Sequence, residues 1–214
     1  MKNKKAFTLT ELLVALCIVG AIAALSIPSL LNNINNKMLA SQIKSFAGSI
    51  EDLAGEQLVD NKTQDLSDTD FATPSSLLSS DNFDIAKTCS STKDCWTETY
   101  RRLYDNADTG YITSGTVSSV VLKNGMIVSY ALGQSAGVGA AYGVFFVDVN
   151  GSDGPNIIGR DYFWVGISKK GQIINWSSNY SSDADMITAC KKPTEIEPIF
   201  CIMVLMNNNW KMPY

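Results

Sequence analysis

The chain of 214 residues contains no histidine. This removes the commonest general base and the commonest transition-metal ligand, and no Ser-His-Asp or Cys-His site can be built from it. No nucleophile motif takes their place, so the sequence does not read as an enzyme. A basic cluster is also missing. Net charge is −4; Lys2, Lys4 and Lys5 against Glu11 give the first eleven residues +2, so the remaining chain carries −6. That balance argues against nucleic acid as a partner. The third absence is the most informative: from Leu12 to Leu31 there is not one charged side chain.

A run of that length is enough to cross a bilayer as a helix. The three lysines before it are expected to hold the N-terminus in the cytoplasm and leave the rest outside. Hydrophobic content of 45% with 18% charge fits one globular domain plus such an anchor. Glu11 stands at the very start of the run, and a carboxylate there is costly in lipid unless it has a partner. An ordinary secretory signal has a shorter core followed by a small-x-small site, which is absent here. A lipoprotein signal would place a small residue before its cysteine, whereas Leu16 precedes Cys17. A plain anchor leaves Glu11 unexplained, although a carboxylate could simply cap or charge the start of the helix.

The basic leader, the small Ala6, Phe7 followed by Thr8 and Leu9, and Glu11 four positions beyond Phe7 together resemble the N-terminus of a type IV pilin or type II secretion pseudopilin precursor. Pro28 falls where that family commonly has a proline, while Ala6 stands where glycine is usual. The resemblance covers about the first seventh of the chain. It implies cleavage between Ala6 and Phe7 by a prepilin peptidase, N-methylation of Phe7, and pairing of Glu11 with the N-terminal amine of a neighbouring subunit.

Beyond the run, Leu39, Ile43, Phe46, Ile50 and Leu53 form one apolar stripe at helical spacing, with polar residues on the rest of the surface. The reading is one helix from about Phe7 to about Leu58, rather than two broken at Pro28 or in the Asn32–Asn36 stretch. Residues 59–87 are polar and acidic, a loop with at most a short helix near Ser75–Ser80; Trp96 to Tyr104 is expected to add a helical piece. From Val117 the period becomes that of strands. Val117–Leu122 and Met126–Leu132 flank Lys123-Asn124-Gly125, a tight-turn signal. Gly133 to Gly143 reads as a glycine-rich loop and Gly143–Val149 as a third strand. Tyr162–Ser168 and Gln172–Ser177 flank Lys169-Lys170-Gly171 as a second hairpin, and Phe200–Met206 is apolar enough for one more buried strand. The expected fold is therefore α+β and pilin-like: a long N-terminal helix, transmembrane in its first half and amphipathic in its second, on a C-terminal antiparallel sheet of four to five strands. The expected divisions are a leader over 1–6, the membrane and filament-core helix over 7–31, its amphipathic continuation over 32–58, and the head over 59–214.

Cys17 reads as a small hydrophobe inside the apolar run. Cys89, Cys95, Cys190 and Cys201 lie beyond it, an even number where disulfides persist. Four cysteines allow three pairings; the local pairs Cys89–Cys95 and Cys190–Cys201 are favoured, and the spacing does not suit zinc. Many pilins have a disulfide-closed C-terminal loop of this kind. Asp148, Asn150, Ser152, Asp153 and Asp161 carry oxygens that could converge on calcium, and some pseudopilins bind calcium in a loop of this region. Asp153 stands where an EF-hand needs glycine, and a turn built by Asn, Asp and Gly is the favoured account.

Taken together, these features and the resemblance imply a structural subunit of a type IV pilus or type II secretion pseudopilus, with a minor tip pilin acting in adhesion as the alternative. Its partners would be copies of itself or related pilins in a helical filament, the prepilin peptidase and methyltransferase, and a membrane assembly platform. Its place would be the bacterial inner membrane first and the extracytoplasmic fibre afterwards.

Overall fold

A computed structural model describes residues 8–96, 99–109, 118–134, 141–175, 182–192 and 198–214. The chain divides into two compact units, one reaching to Met38 and the other spanning Leu39–Tyr214. Helix α1 covers Leu9–Asp60, with Pro28 inside it. The break weighed at Pro28 and at Asn32–Asn36 does not occur.

In the first unit the helix is apolar on all sides. Leu12, Leu13, Leu16, Ile18, Val19 and Leu25 are all more than half exposed in the single chain. Among the described residues these side chains are left uncovered.

The second unit supplies a core. Leu39, Ile43, Phe46 and Ile50 of the α1 stripe are buried, with Ala40, Ala47 and Ala54 beside them. Leu53 is only half-buried because Ala54 takes the next inward position, where it comes close to Gly171. Five strands form one antiparallel sheet in chain order: β1 (Ile85–Thr88), β2 (Ser118–Leu122), β3 (Ile127–Leu132), β4 (Gly143–Asp148) and β5 (Tyr162–Ile167). The layout is α+β, as the change of period implies. The Asn124-Gly125 signal makes the β2–β3 hairpin: Gly125 has φ +90°, and Asn124 Oδ1 accepts the Met126 N–H at 3.1 Å.

Every residue of β4 and β5 is buried, so both faces of the sheet are covered there. Successive side chains point to opposite faces. Phe145 meets Phe46 of α1 edge-on at 5.8 Å, while Phe146, on the other face, meets Trp164 at 4.9 Å. The second cover comes from the C-terminus. Phe200–Met206, expected as a strand, lies inside helix α5 (Pro198–Asn207), which packs against β5 and against α4 (Asp183–Lys191). A helix buried on nearly all sides is as apolar as a buried strand, so the run of hydrophobic residues did not separate the two.

Other departures are local. The limb after Lys169-Lys170-Gly171 returns by a single bridge, Ile167 to Ile173, rather than a strand; its end at 176–177 lies outside the described residues. Short helices occupy Pro74–Leu77 (α2) and Thr92–Cys95 (α3). The helical piece expected from Trp96 to Tyr104 does not form over 99–104. There the Arg101 N–H donates to the Asn156 carbonyl and the Arg101 carbonyl accepts from Ile158, a ladder that pulls the segment extended. Val117, the centre of the 133–143 loop and the leader lie outside the described residues.

Candidate functional site

Two places in the chain were singled out by their chemistry, the acid at the start of the apolar run and the loop between β4 and β5. Around the first, α1 begins with a reciprocal cap. The Thr8 N–H and hydroxyl both donate to Glu11 Oε2 at 2.9 Å, and the Glu11 N–H donates back to Thr8 Oγ1 at 3.3 Å. This is the Thr-x-x-Glu capping box, which satisfies two of the orphan donors of a helix start. Its spacing was legible in the sequence, and a cap at the helix start is one of the roles considered there for Glu11. In the single chain the bland role of Glu11 is therefore the one displayed. Glu11 Oε1 accepts no hydrogen bond among the described residues. Ala6 and Phe7 lie outside the described residues.

This one acid stands at the head of the one stretch long and apolar enough to cross a membrane among the described residues. Residues 1–27 match the family model described as the prokaryotic N-terminal methylation motif. The chain carries the type IV pilin and pseudopilin signature. The match covers the cationic leader, Glu11 and most of the apolar run, and it stops short of the head. No curated protein matches the chain, and no solved structure does. The pilin signature points to a pilin-like structural role rather than an enzyme, and the apolar helix fits a membrane-anchored precursor.

The second place is the loop from Asp148 to Asp161. Asp148 closes β4 and Asp161 precedes β5, and both are fully buried. The Tyr100 hydroxyl donates to Asp148 Oδ2 at 2.5 Å, and the Asn150 N–H donates to Oδ1 at 3.2 Å. Asp161 receives the N–H groups of Asn156 and Ile157 at 2.7 and 2.6 Å. Burial pushes the Asp148 carboxyl up to about 8, against the hydrogen bonds that favour its ion and with the help of the Asp161 charge. Burial likewise lifts Asp161 to about 6. Desolvation, aided by the Asp148 charge, also raises the Tyr100 phenol.

Of the five residues considered for calcium, the structure brings Asp148 and Asp161 together and leaves Ser152 and Asp153 exposed. No third acidic ligand joins the pair among the described residues. Asn150 uses its amide N–H groups on the carbonyls of Asp153 and Gly154. The loop takes left-handed backbone at Gly151, Asn156 and Gly159, which is turn chemistry.

The cysteines beyond the apolar run form two bridges, Cys89–Cys95 and Cys190–Cys201. The second is buried and lies against Gly159, where any side chain would strike both sulfurs. The Tyr214 hydroxyl donates to the Gly159 carbonyl at 2.6 Å. The C-terminal helices, the loop and the chain end are thus tied at one corner, a juxtaposition no local sequence signal carried.

Proposed function

We propose that the chain is a structural subunit of a type IV pilus or a type II secretion pseudopilus. The observation that carries this reading is one carboxylate, Glu11, at the head of an uncharged stretch of helix whose apolar side chains find no cover among the described residues. Such a helix leaves lipid only if sister helices bury it again. A prepilin peptidase cleaves between Ala6 and Phe7, the new amine on Phe7 is methylated, and the leader of residues 1–6 stays behind. The precursor sits in the inner membrane with its N-terminus in the cytoplasm, and an assembly platform lifts it into the extracytoplasmic fibre. During that step Glu11 turns its carboxylate to the N-terminal amine of a neighbouring subunit, since a charge in a low-dielectric surrounding persists only when paired. The loop from Asp148 to Asp161 is read as a hydrogen-bonded turn rather than a calcium site, because both carboxylates already rest on internal donors.

Mass spectrometry of the mature N-terminus should find N-methylated Phe7. A Glu11→Ala chain should remain at wild-type level in the membrane and disappear from the sheared fibre fraction. Recovery of that variant in fibres at the wild-type yield would sink the reading.

A further inference from the structure

From Leu39 onward, two large hydrophobic side chains stand exposed among the described residues: Val59, 75% exposed, and Tyr104, 62%. In each patch one charge predominates, and the two are opposite.

Val59 sits on the last turns of α1. Asp52, Glu56 and Asp60 recur every four residues on the same exposed face. No basic residue occupies the last turn of the helix. Carboxylates in this position repel one another and oppose the negative end of the helix dipole, so the face is electrostatically incomplete. Glu51, Asp65 and Asp68 add to it, while Lys62, Lys169 and Lys170 offset it in part; Lys169 is already committed to Asp65.

Tyr104 sits at the corner tied by the second disulfide. Its N–H donates to the Lys191 carbonyl, and Lys192 Nζ lies 3.7 Å over its ring. Leu103, Gly159, Cys190 and Cys201 converge there, which draws together Arg101, Arg102, Lys191 and Lys192, cations scattered over ninety residues of sequence, while the charge of Arg160 acts on Asp161. Asp105 neutralises Arg102 at 2.7 Å and Asp108 stands opposite Arg101. No carboxylate among the described residues forms an ion pair with Lys191 or Lys192.

The two patches are at opposite ends of β5. The acidic end of α1 rests on the turn after Ile167, where Ala54 approaches Gly171 and Glu51 accepts the Ile173 N–H. The basic corner lies before Tyr162, where Ile158 bridges to that residue. The strand between them spans ~17 Å at ~3.3 Å per residue, so the patches do not neutralise one another within one chain.

We propose that they are the two halves of one contact between successive copies of this chain: Tyr104 of one copy seats against Val59 of the next, with Lys191 and Lys192 facing Glu56 and Asp60. An apolar anchor within a charged rim is the usual anatomy of a specific interface. A contact between two different patches is head-to-tail, and such contacts propagate into open helical filaments rather than closing on a dimer. This inference rests on the fibre-subunit reading and gives the heads their own register, separate from the helix packing that Glu11 governs.

The test uses the full chain in cells that assemble the fibre, with isotope-light and isotope-heavy copies mixed. A zero-length carbodiimide cross-linker should join Lys191 or Lys192 to the 51–60 peptide in pairs of mixed mass. Lys192→Glu should cut the sheared fibre yield by about tenfold or more, because like charges then face each other across the contact. Adding Glu56→Lys should restore it; both positions are exposed, and membrane levels report folding. Wild-type fibre yield from both Lys192→Glu and Tyr104→Ala, with no cross-link between copies, overturns this contact and leaves the subunit reading standing. A wild-type chain absent from every fibre overturns both.

Discussion

Replacing Asp148 by asparagine should flatten the dependence of the head's stability on pH. The carboxyl moves from its ordinary 3.8 to about 8 in the folded chain, chiefly because it is buried. A group whose folded value lies above its unfolded value stabilises the fold fully on the acid side. It loses that contribution as the pH rises through the folded value. At ~1.4 kcal/mol per pH unit, Asp148 would withdraw up to ~6 kcal/mol between about pH 4 and pH 8. Asp161, raised to about 6, works in the same direction over a narrower window. Asp65, Asp94 and Asp105 are lowered by hydrogen bonds from Ser67, Lys87 and Ala107 respectively, and act in the opposite sense at the acid end. Stability should therefore peak near pH 4. The Tyr100 hydroxyl keeps an acceptor in Asp148→Asn, so the substitution removes the charge and preserves the shape. Tryptophan fluorescence melts of the detergent-solubilised chain at pH 4 and pH 8 provide the assay. If half of the ceiling is realised, the wild-type midpoint falls by ~6–12 °C between them, and the variant by much less. Parallel pH slopes for the two proteins would refute the argument.

Further outcomes follow from the core and the cross-links. Gly159→Ala should cost ~2 kcal/mol in thermal melts, since Gly159 has φ +86° and a Cβ would lie 2.7 Å from Cys201 Sγ. Under mild reductant, alkylation and mass spectrometry should find Cys89–Cys95, which is half-buried, opened well before the buried Cys190–Cys201. Replacing both Cys190 and Cys201 by alanine should lower stability by ~2–4 kcal/mol. Ile43→Ala, at a fully buried point of the α1 stripe, should cost ~3 kcal/mol in the same melts.

The sequence carried its message wherever a residue pattern was tied to backbone geometry. The spacing of Leu39, Ile43, Phe46 and Ile50 could mean only one helix face, and Asn124-Gly125 only a tight turn. It was silent where the deciding contact is distant. The short edge strand β1 lies in a polar stretch and exposes most of its side chains, so it has no alternation to read. The α4 start was present as Ser182, whose hydroxyl accepts the Asp185 N–H, but a lone cap without an apolar stripe is a weak sign. The run through Cys201 and Met203 fits strand and helix equally, and the partner that decides it, Cys190 of α4, is remote in pattern though near in number. The same holds at the candidate sites. Glu11 announced itself, whereas the pairing of Tyr100 with Asp148 and the gathering of cations around Tyr104 exist only once the chain is folded.

The strand order of the sheet is also the chain order. Each strand therefore meets a partner already made, and the sheet can grow edgewise as the polypeptide emerges. The exception is the stripe of α1, which comes first and waits for Phe145, about a hundred residues later, before Phe46 has a ring to rest on. During that interval an apolar ribbon stands bare. The interval is set by the distance along the chain from α1 to β4, so insertions between residues 60 and 118 should lengthen it and make the nascent chain more prone to aggregate, even where the finished head would tolerate them.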